Sequence, residues 1–261
     1  MKYGFIGCGN MGGAIATALS KATKDMMVSD RSGKAAALAE KLGIGYGTSE
    51  QIAQSCDIIF LGVKPHMMRD CLLPLQTALQ ERKPMLVTMV AGLEIRKIEE
   101  FAGCRLPVIR IMPNTPAAVG SGVILYDTTE NVSQEALAQF LTNMAKCGWL
   151  DPLPEKLIDA GSAVSGCGPA FVCLFLEALA DGGVLCGLPR DKALAYAART
   201  LEGTAKLLLE TGDHPGKLKD AVCSPGGSTI VGVKALEAGG LRSAAIHAVE
   251  AAYVKTKELG K

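Results

Sequence analysis

Three stretches of this chain combine glycines and hydroxyls at spacings suited to binding an anion or a nucleotide. The first is Gly7-Cys8-Gly9-Asn10-Met11-Gly12, a G-x-G-x-x-G run. It follows the short apolar segment Lys2-Tyr3-Gly4-Phe5-Ile6 and leads into Ala14–Leu19, which has helical spacing. In such a run the first glycine makes a tight turn, the second lets the backbone approach a pyrophosphate, and the third lets the helix pack on the strand. The helix N-terminus adds unpaired N–H groups and the positive end of a dipole. A second apolar run, Met26–Ser29, ends in Asp30, near the spacing expected for a group that reads the adenosine ribose.

The second stretch is Ser224-Pro225-Gly226-Gly227-Ser228-Thr229, placed before an apolar helix. Paired glycines at a helix start expose several backbone N–H groups, and the hydroxyls of Ser224, Ser228 and Thr229 flank them. Such a nest suits a carboxylate or phosphate. The plain alternative is an N-cap supplied by Ser228 or Thr229, but two glycines and three hydroxyls exceed what a cap needs. The third stretch, Ser165-Gly166-Cys167-Gly168-Pro169-Ala170, has glycines that admit a flat ring or simply permit close helix packing.

These stretches need elements to position them. Up to about residue 150 the pattern alternates strand and helix. A helix is expected from Gly33 to Leu42, a short strand at Ile44–Gly47, then a helix capped by Thr48 or Ser49 with Glu50 or Gln51 in its first turn. The continuous apolar runs at Asp57–Val63, Met85–Val90 and Leu106–Met112 are what buried parallel strands require. Lys64-Pro65-His66 opens a helix ending near Leu79. Gly122–Tyr126 and Cys147–Leu150 extend the sheet, with a helix from Ser133 between them. The rhythm predicts a Rossmann-type doubly wound sheet with ligands at the carboxyl ends of its strands. Loops expected at that edge are Gly7–Gly12, Val63-Lys64-Pro65, Ala91-Gly92 and Pro113-Asn114-Thr115-Pro116. Lys64 reads as a cation beside a cofactor or as a surface lysine in a turn. Asn114 and Thr115 read as partners of a nicotinamide or as an Asx-type turn, and the sequence does not separate the two.

From about Leu153 the strand signals stop. Phe171–Leu179 is apolar on nearly every side, so as a helix it must be covered all round, by its own domain or by another subunit. Gly187 ends it and Pro189 opens the next helix, whose expected core stripe is Leu194, Ala198, Leu201, Ala205 and Leu208. Shorter helices are expected at Pro215–Val222 and Thr229–Ala238, and a last one at Leu241–Leu259. The organisation expected is an α/β domain at 1–152 followed by an all-α domain at 153–261.

Composition excludes several classes. The formal net charge is +1 and 49% of residues are hydrophobic, which points to no nucleic-acid or anionic-membrane partner. The N-terminal apolar run is too short for a signal peptide, and the uncharged segment Ala160–Leu176 is broken by Gly, Ser and Pro, so no membrane span is expected. Nine cysteines without a C-x-x-C read as small core residues in a reducing cytoplasm, and three scattered histidines give no metal site.

Together GCGNMGGAI at the start, FLGVKP at 60–65, RIMPNTPAAVGSG at 110–122, SGCGPAF at 165–171 and AVCSPGGSTI at 221–230 resemble the pyrroline-5-carboxylate reductase family over essentially the whole chain. Departures are few: Ser228 stands where many members have Thr or Ala, Cys167 where Ser is common, Phe171 where Tyr is common, and Asp30 where Asn or Ser is frequent. The resemblance implies hydride transfer from NADPH, or NADH, to the C=N carbon of 1-pyrroline-5-carboxylate, giving L-proline. It implies a cofactor site made from Gly7, Gly9, Asn10, Met11, Gly12, Asp30, Arg31, Ser32, Ser49, Val63, Lys64, Pro65, Ala91, Gly92 and Asn114. Thr229 is the implied catalytic residue at the ring nitrogen, with Ser224, Gly226, Gly227 and Ser228 around the substrate. It also implies an all-α dimerisation domain, a homodimer that can assemble into a decamer, and active sites shared between chains. Glu177, on the apolar helix, reads equally as a pairing or a structural residue. The rivals are a β-hydroxyacid dehydrogenase or imine reductase-like enzyme, and a non-catalytic NADP-binding protein. The first lacks its lysine, since none occurs in 165–180, and the intact SPGGST argues against the second.

Overall fold

The computed structural model describes residues 1–259; Gly260 and Lys261, the last two residues of the expected second domain, lie outside the described residues. The chain forms two compact units, Met1–Cys167 joined by the returning C-terminal segment from Ala251, and Gly168–Glu250.

The first unit is built on an eight-stranded sheet in the order β3-β2-β1-β4-β5-β6-β7-β8. Its strands are β1 Tyr3–Ile6, β2 Met26–Ser29, β3 Gly45–Tyr46, β4 Ile58–Leu61, β5 Met85–Thr88, β6 Val108–Met112, β7 Gly122–Thr128 and β8 Gly148–Pro152. Strands β1, β4, β5 and β6 are buried at every position, as apolar runs require between two helical layers; Arg110 in the middle of β6 is the charged exception. One layer holds α1 Asn10–Leu19, α2 Lys34–Leu42 and α7 Gln134–Met144; the other holds α3 Ser49–Ser55, α4 Met68–Leu72, α5 Gln76–Arg82 and α6 Ile95–Ala102. Phe5 and Phe60 stack at 4.4 Å between ring centroids in the first of these cores. Local sequence signals account for several boundaries. Thr48 and Gln51 form a reciprocal capping box at α3, and Gly43 ends α2 with φ +63°.

Two expectations change. The sheet is not wholly parallel: β7 runs antiparallel to β6, with Arg110 opposite Asp127. The connection from Pro113 to Ser121 is shorter than the dozen or so residues that a parallel crossover takes. The single helix expected after Lys64 is broken into 3-10 turns and short helices, with Pro74 inside the turn Leu73–Leu75. Within the first compact unit, α8, Glu155–Ser165, packs with the sheet. Gly161 makes this packing possible, because a Cβ there would lie 2.4 Å from Leu125.

The second unit contains α9 Gly168–Leu185, α10 Arg190–Thr211, α11 Pro215–Ala221, α12 Ser228–Ala238 and the start of α13 Leu241–Leu259. Its buried apolar residues are only Ala180, Ala193 and Ala197, while Leu174, Leu185, Leu209, Val231 and Ile246 are exposed in the single chain. The stripe Leu194-Ala198-Leu201-Ala205-Leu208 is therefore not the covered face of α10. Ala193 and Ala197 are, and Ala193 lies 3.0 Å from where a Cβ on Gly183 of α9 would stand. Within Glu155–Leu185 one window of 18 residues reaches a mean hydropathy of 1.7, long and apolar enough to cross a membrane by length and composition alone.

Candidate functional site

The turn from β1 into α1 shows why its glycines are required. Gly7 has φ +98°, and a Cβ there would stand 2.7 Å from the Gly62 carbonyl carbon. A Cβ on Gly12 would lie 2.3 Å from the Gly7 carbonyl oxygen, and one on Gly62 2.4 Å from the same atom. Three backbones thus meet at one point where no side chain fits. Gly62, which sits inside FLGVKP, is a part of the site that spacing arguments alone pass over. Gly9 is different: nothing lies within 4 Å of its Cβ position, so it faces open space. The first turn of α1 has no side-chain cap and no acidic residue, which leaves its N–H groups and dipole available to a phosphate.

Beside this turn lies a cleft of about 380 Å³. Gly7, Gly9, Asp30, Arg31, Ser32, Ser49, Val63 and Lys64 line it, as the sequence predicts, together with Cys8, Gly62 and Asp70, which the sequence does not single out. Asn10, Met11 and Gly12 follow directly in α1, whereas Pro65, Ala91, Gly92 and Asn114 are not among the lining residues. Asp30 is engaged by its own loop: Oδ1 accepts from the Ser32 N–H at 3.2 Å, and Oδ2 from the Ser32 hydroxyl at 2.9 Å and the Ala35 N–H at 3.0 Å. Arg31 and Lys64 are exposed in the cleft wall. The Cys8 thiol is pushed up to about 12, first by burial and then by the charge of Asp30, so it stays a neutral thiol.

Asn114 is used structurally. Its Nδ2 donates to the Ser165 carbonyl at 3.0 Å and its Oδ1 accepts from the Val123 N–H at 2.9 Å. The side chain thereby ties the end of β6 to the end of α8. At the neighbouring glycine stretch, a Cβ on Gly166 would stand 2.8 Å from Ser162, so this glycine serves close packing, while Gly168 faces open space.

In the second unit, Ser224–Thr229 forms an exposed loop opening α12. The N-cap is Gly227, with no side-chain cap, and the first turn holds no acidic residue. Gly226 has φ +72° with open space at its Cβ, and the Gly227 N–H bonds back to the Ser224 carbonyl at 3.0 Å. Neither Ser228 nor Thr229 acts as the cap, and the hydroxyls of Ser224, Ser228 and Thr229 have no hydrogen-bond partner among the described residues. Glu177 is exposed in the single chain and forms no ion pair among the described residues.

Comparison with known proteins decides among the nicotinamide-binding alternatives. A family model described as pyrroline-5-carboxylate reductase dimerisation matches residues 155–259. Pyrroline-5-carboxylate reductase of Escherichia coli (strain K12) is 40% identical over 267 residues, covering 100% of this chain and 98% of that protein. The chain belongs to the pyrroline-5-carboxylate reductase family. It is an NAD(P)H-dependent oxidoreductase acting on a C=N bond. A second model, described as NADP oxidoreductase coenzyme F420-dependent, matches residues 2–92, which contain the glycine turn and most of the cleft. Among solved structures, 1-pyrroline-5-carboxylate reductase from Streptococcus pyogenes matches with a TM-score of 0.91 at 32% identity, covering 99% of this chain and 98% of that one. Pyrroline carboxylate reductase of Plasmodium falciparum with NADP bound matches with a TM-score of 0.89 at 32% identity, covering 100% and 98%. The family model begins at α8, so the dimerisation segment of the family includes a helix that packs in the sheet unit here.

Proposed function

We propose that this chain reduces 1-pyrroline-5-carboxylate to L-proline with NADPH, as a cytoplasmic homodimer that is the building block of any decamer. The observation that carries the assignment of the substrate site is the uncapped N-terminus of α12. A helix of 11 residues with no side-chain cap, no first-turn acid and three hydroxyls at its start is suited to receive an anion.

Bound NADPH supplies the hydride. The fit of the cofactor rests on the open face of Gly9, the free N–H groups of α1 and the cleft beside them. Arg31 supports the phosphorylated form, because a guanidinium pairs bidentately with a phosphate. Asp30, its carboxylate held by Ser32 and Ala35, orders the loop that carries Arg31. The Gly226 amide with the Ser224 hydroxyl holds the substrate carboxylate, and Gly227, its N–H bonded to the Ser224 carbonyl, holds the loop in shape around it. The Thr229 hydroxyl bonds the ring nitrogen, which must gain a proton as the neighbouring carbon gains the hydride. No strong acid is required of the chain; orientation and exclusion of water do most of the work.

The exposed apolar surface of α9, α10 and α12 supports a partner chain covering them, and the apolar character of α9 is that of a helix buried between subunits. In this reading the cofactor cleft of one subunit works with the Ser224–Thr229 loop of the other. The test is the loss of NADPH absorbance with and without 1-pyrroline-5-carboxylate. Imine-dependent oxidation giving proline supports the reading, and NADPH binding without turnover returns the chain to the non-catalytic class.

A further inference from the structure

The chain passes between its two compact units twice, after Cys167 and before Ala251. Both passages are anchored in the sheet unit by one ionic network built on the buried pair Arg110–Asp159, with Lys257 joining it from the exposed side. Arg110, in the middle of β6, is 1% exposed, and its guanidinium donates to Glu155 Oε1 at 3.2 Å and to Asp159 Oδ1 at 2.6 Å. The other oxygen of Asp159 takes the Lys257 ammonium at 3.1 Å. Asp159 is 4% exposed, so one buried carboxylate joins a strand, the helix before the first passage and α13, the helix within which the second passage is made.

The rest of α8 is held in the same way. The Glu155 N–H donates to Asp127 Oδ2 at 2.6 Å, and Glu155 Oε1 also accepts from the Ile95 N–H at 2.7 Å. At its other end the Ser165 carbonyl accepts from Asn114. Start, middle and end of α8 are therefore all tied to strands or loops of the sheet, and β6 is the strand that runs into Pro113–Pro116.

Apolar side chains of similar volume hold helices together as firmly as a buried ion pair does. What they do not supply is direction. A slip of α8 by one residue carries Asp159 about 100° around the helix, away from both cations, whereas an apolar face tolerates the same slip by repacking. The geometry points to Asp159, with Arg110 and Lys257, as a positioning group for hydride transfer. By fixing the register of α8 and of the end of α13 against β6, it sets where both chain passages leave the sheet unit. This inference rests on the reductase reading above, in which cofactor and substrate are held by different compact units.

The variants are Lys257→Met, Lys257→Arg and Asp159→Asn in the full-length protein, each assayed with the cyclic imine beside the wild type. Lys257 is partly exposed, so its loss leaves Asp159 paired with Arg110 and the fold intact. For Lys257→Met the expected result is a kcat lower by roughly 3–30-fold, with the Kd for NADPH and the KM for the imine within about twofold. Lys257→Arg is expected to restore kcat to within about twofold. Asp159→Asn, where it folds, is expected to lower kcat further. A wild-type kcat in Lys257→Met or in folded Asp159→Asn would overturn the inference. So would a loss shared equally by NADPH affinity and the thermal midpoint and not rescued by arginine, since a purely structural role does that. A wild type that binds NADPH without turning over the imine sinks the reductase reading itself, and the positioning role with it.

Discussion

Asp30 and Ser32 bond to each other twice, through the Ser32 N–H at 3.2 Å and the Ser32 hydroxyl at 2.9 Å. An acidic residue after the second strand is ordinarily the group that bonds the ribose 2′-hydroxyl and repels a 2′-phosphate. Here Asp30 is turned into its own loop, where it also accepts from the Ala35 N–H at 3.0 Å, and Arg31 stands exposed in the cleft wall beside it.

The cofactor preference follows from that arrangement. Arg31→Ala is expected to lower kcat/KM for NADPH by roughly 10–100-fold, the worth of a hydrogen-bonded charge, and to leave the value with NADH nearly unchanged. Parallel steady-state assays with the two cofactors measure this. Equal losses with both would remove Arg31 from the 2′-phosphate.

At the substrate loop, Thr229→Ala is expected to lower kcat by roughly 10²–10⁴-fold if its hydroxyl takes part in proton transfer. Ser224→Ala should act on KM, because carboxylate binding is nearly the same in ground and transition states. Near wild-type turnover in Thr229→Ala would exclude the hydroxyl from the chemistry.

Sharing of sites is open to complementation. Gly9→Trp is a suitable cofactor lesion, since the Cβ of Gly9 faces open space and the substitution fills the cleft without breaking the turn. Mixed by unfolding and refolding with Thr229→Ala, it should yield roughly a quarter of wild-type activity, because half the dimers are mixed and each mixed dimer has one whole site. A mixture as inactive as its parents means that each site is built within one chain.

Stability in alkali reports on Cys8. Its thiol titrates at about 12 in the native protein against an ordinary value of 9.0. Between these values the unfolded chain releases a proton that the folded chain keeps, so stability present below pH 9 falls by ~1.4 kcal/mol per pH unit above it. Urea unfolding under reducing conditions at pH 8 and 10 should show wild type losing about 1.4 kcal/mol more than Cys8→Ala over that interval. Identical losses would mean that the native thiol ionises normally.

Much of this protein was settled locally. G-x-G-x-x-G between an apolar strand and a helix, the uninterrupted runs of the central strands, the Thr48–Gln51 cap and the glycine stops are short-range features, and each reads the same in the sequence as in the fold. The family resemblance was legible for the same reason, since its motifs are contiguous. What the tertiary structure decided depends on partners distant along the chain. The turn-back of β7 against β6 decides which residues oppose one another. Asn114 reads in the sequence as either a nicotinamide contact or a turn residue, and only the fold shows that its amide also bonds Ser165 and Val123. The stripe on α10 has the right period, but period alone does not say which face is covered within the chain and which is left for a partner. Asp159 and Lys257 carry no sequence signal of their own, and Arg110, though it opens the motif at 110–122, shows no partner in the sequence. Only the folding of β6, α8 and α13 onto one another puts their charges within bonding distance, where burial makes Arg110 and Asp159 depend on each other.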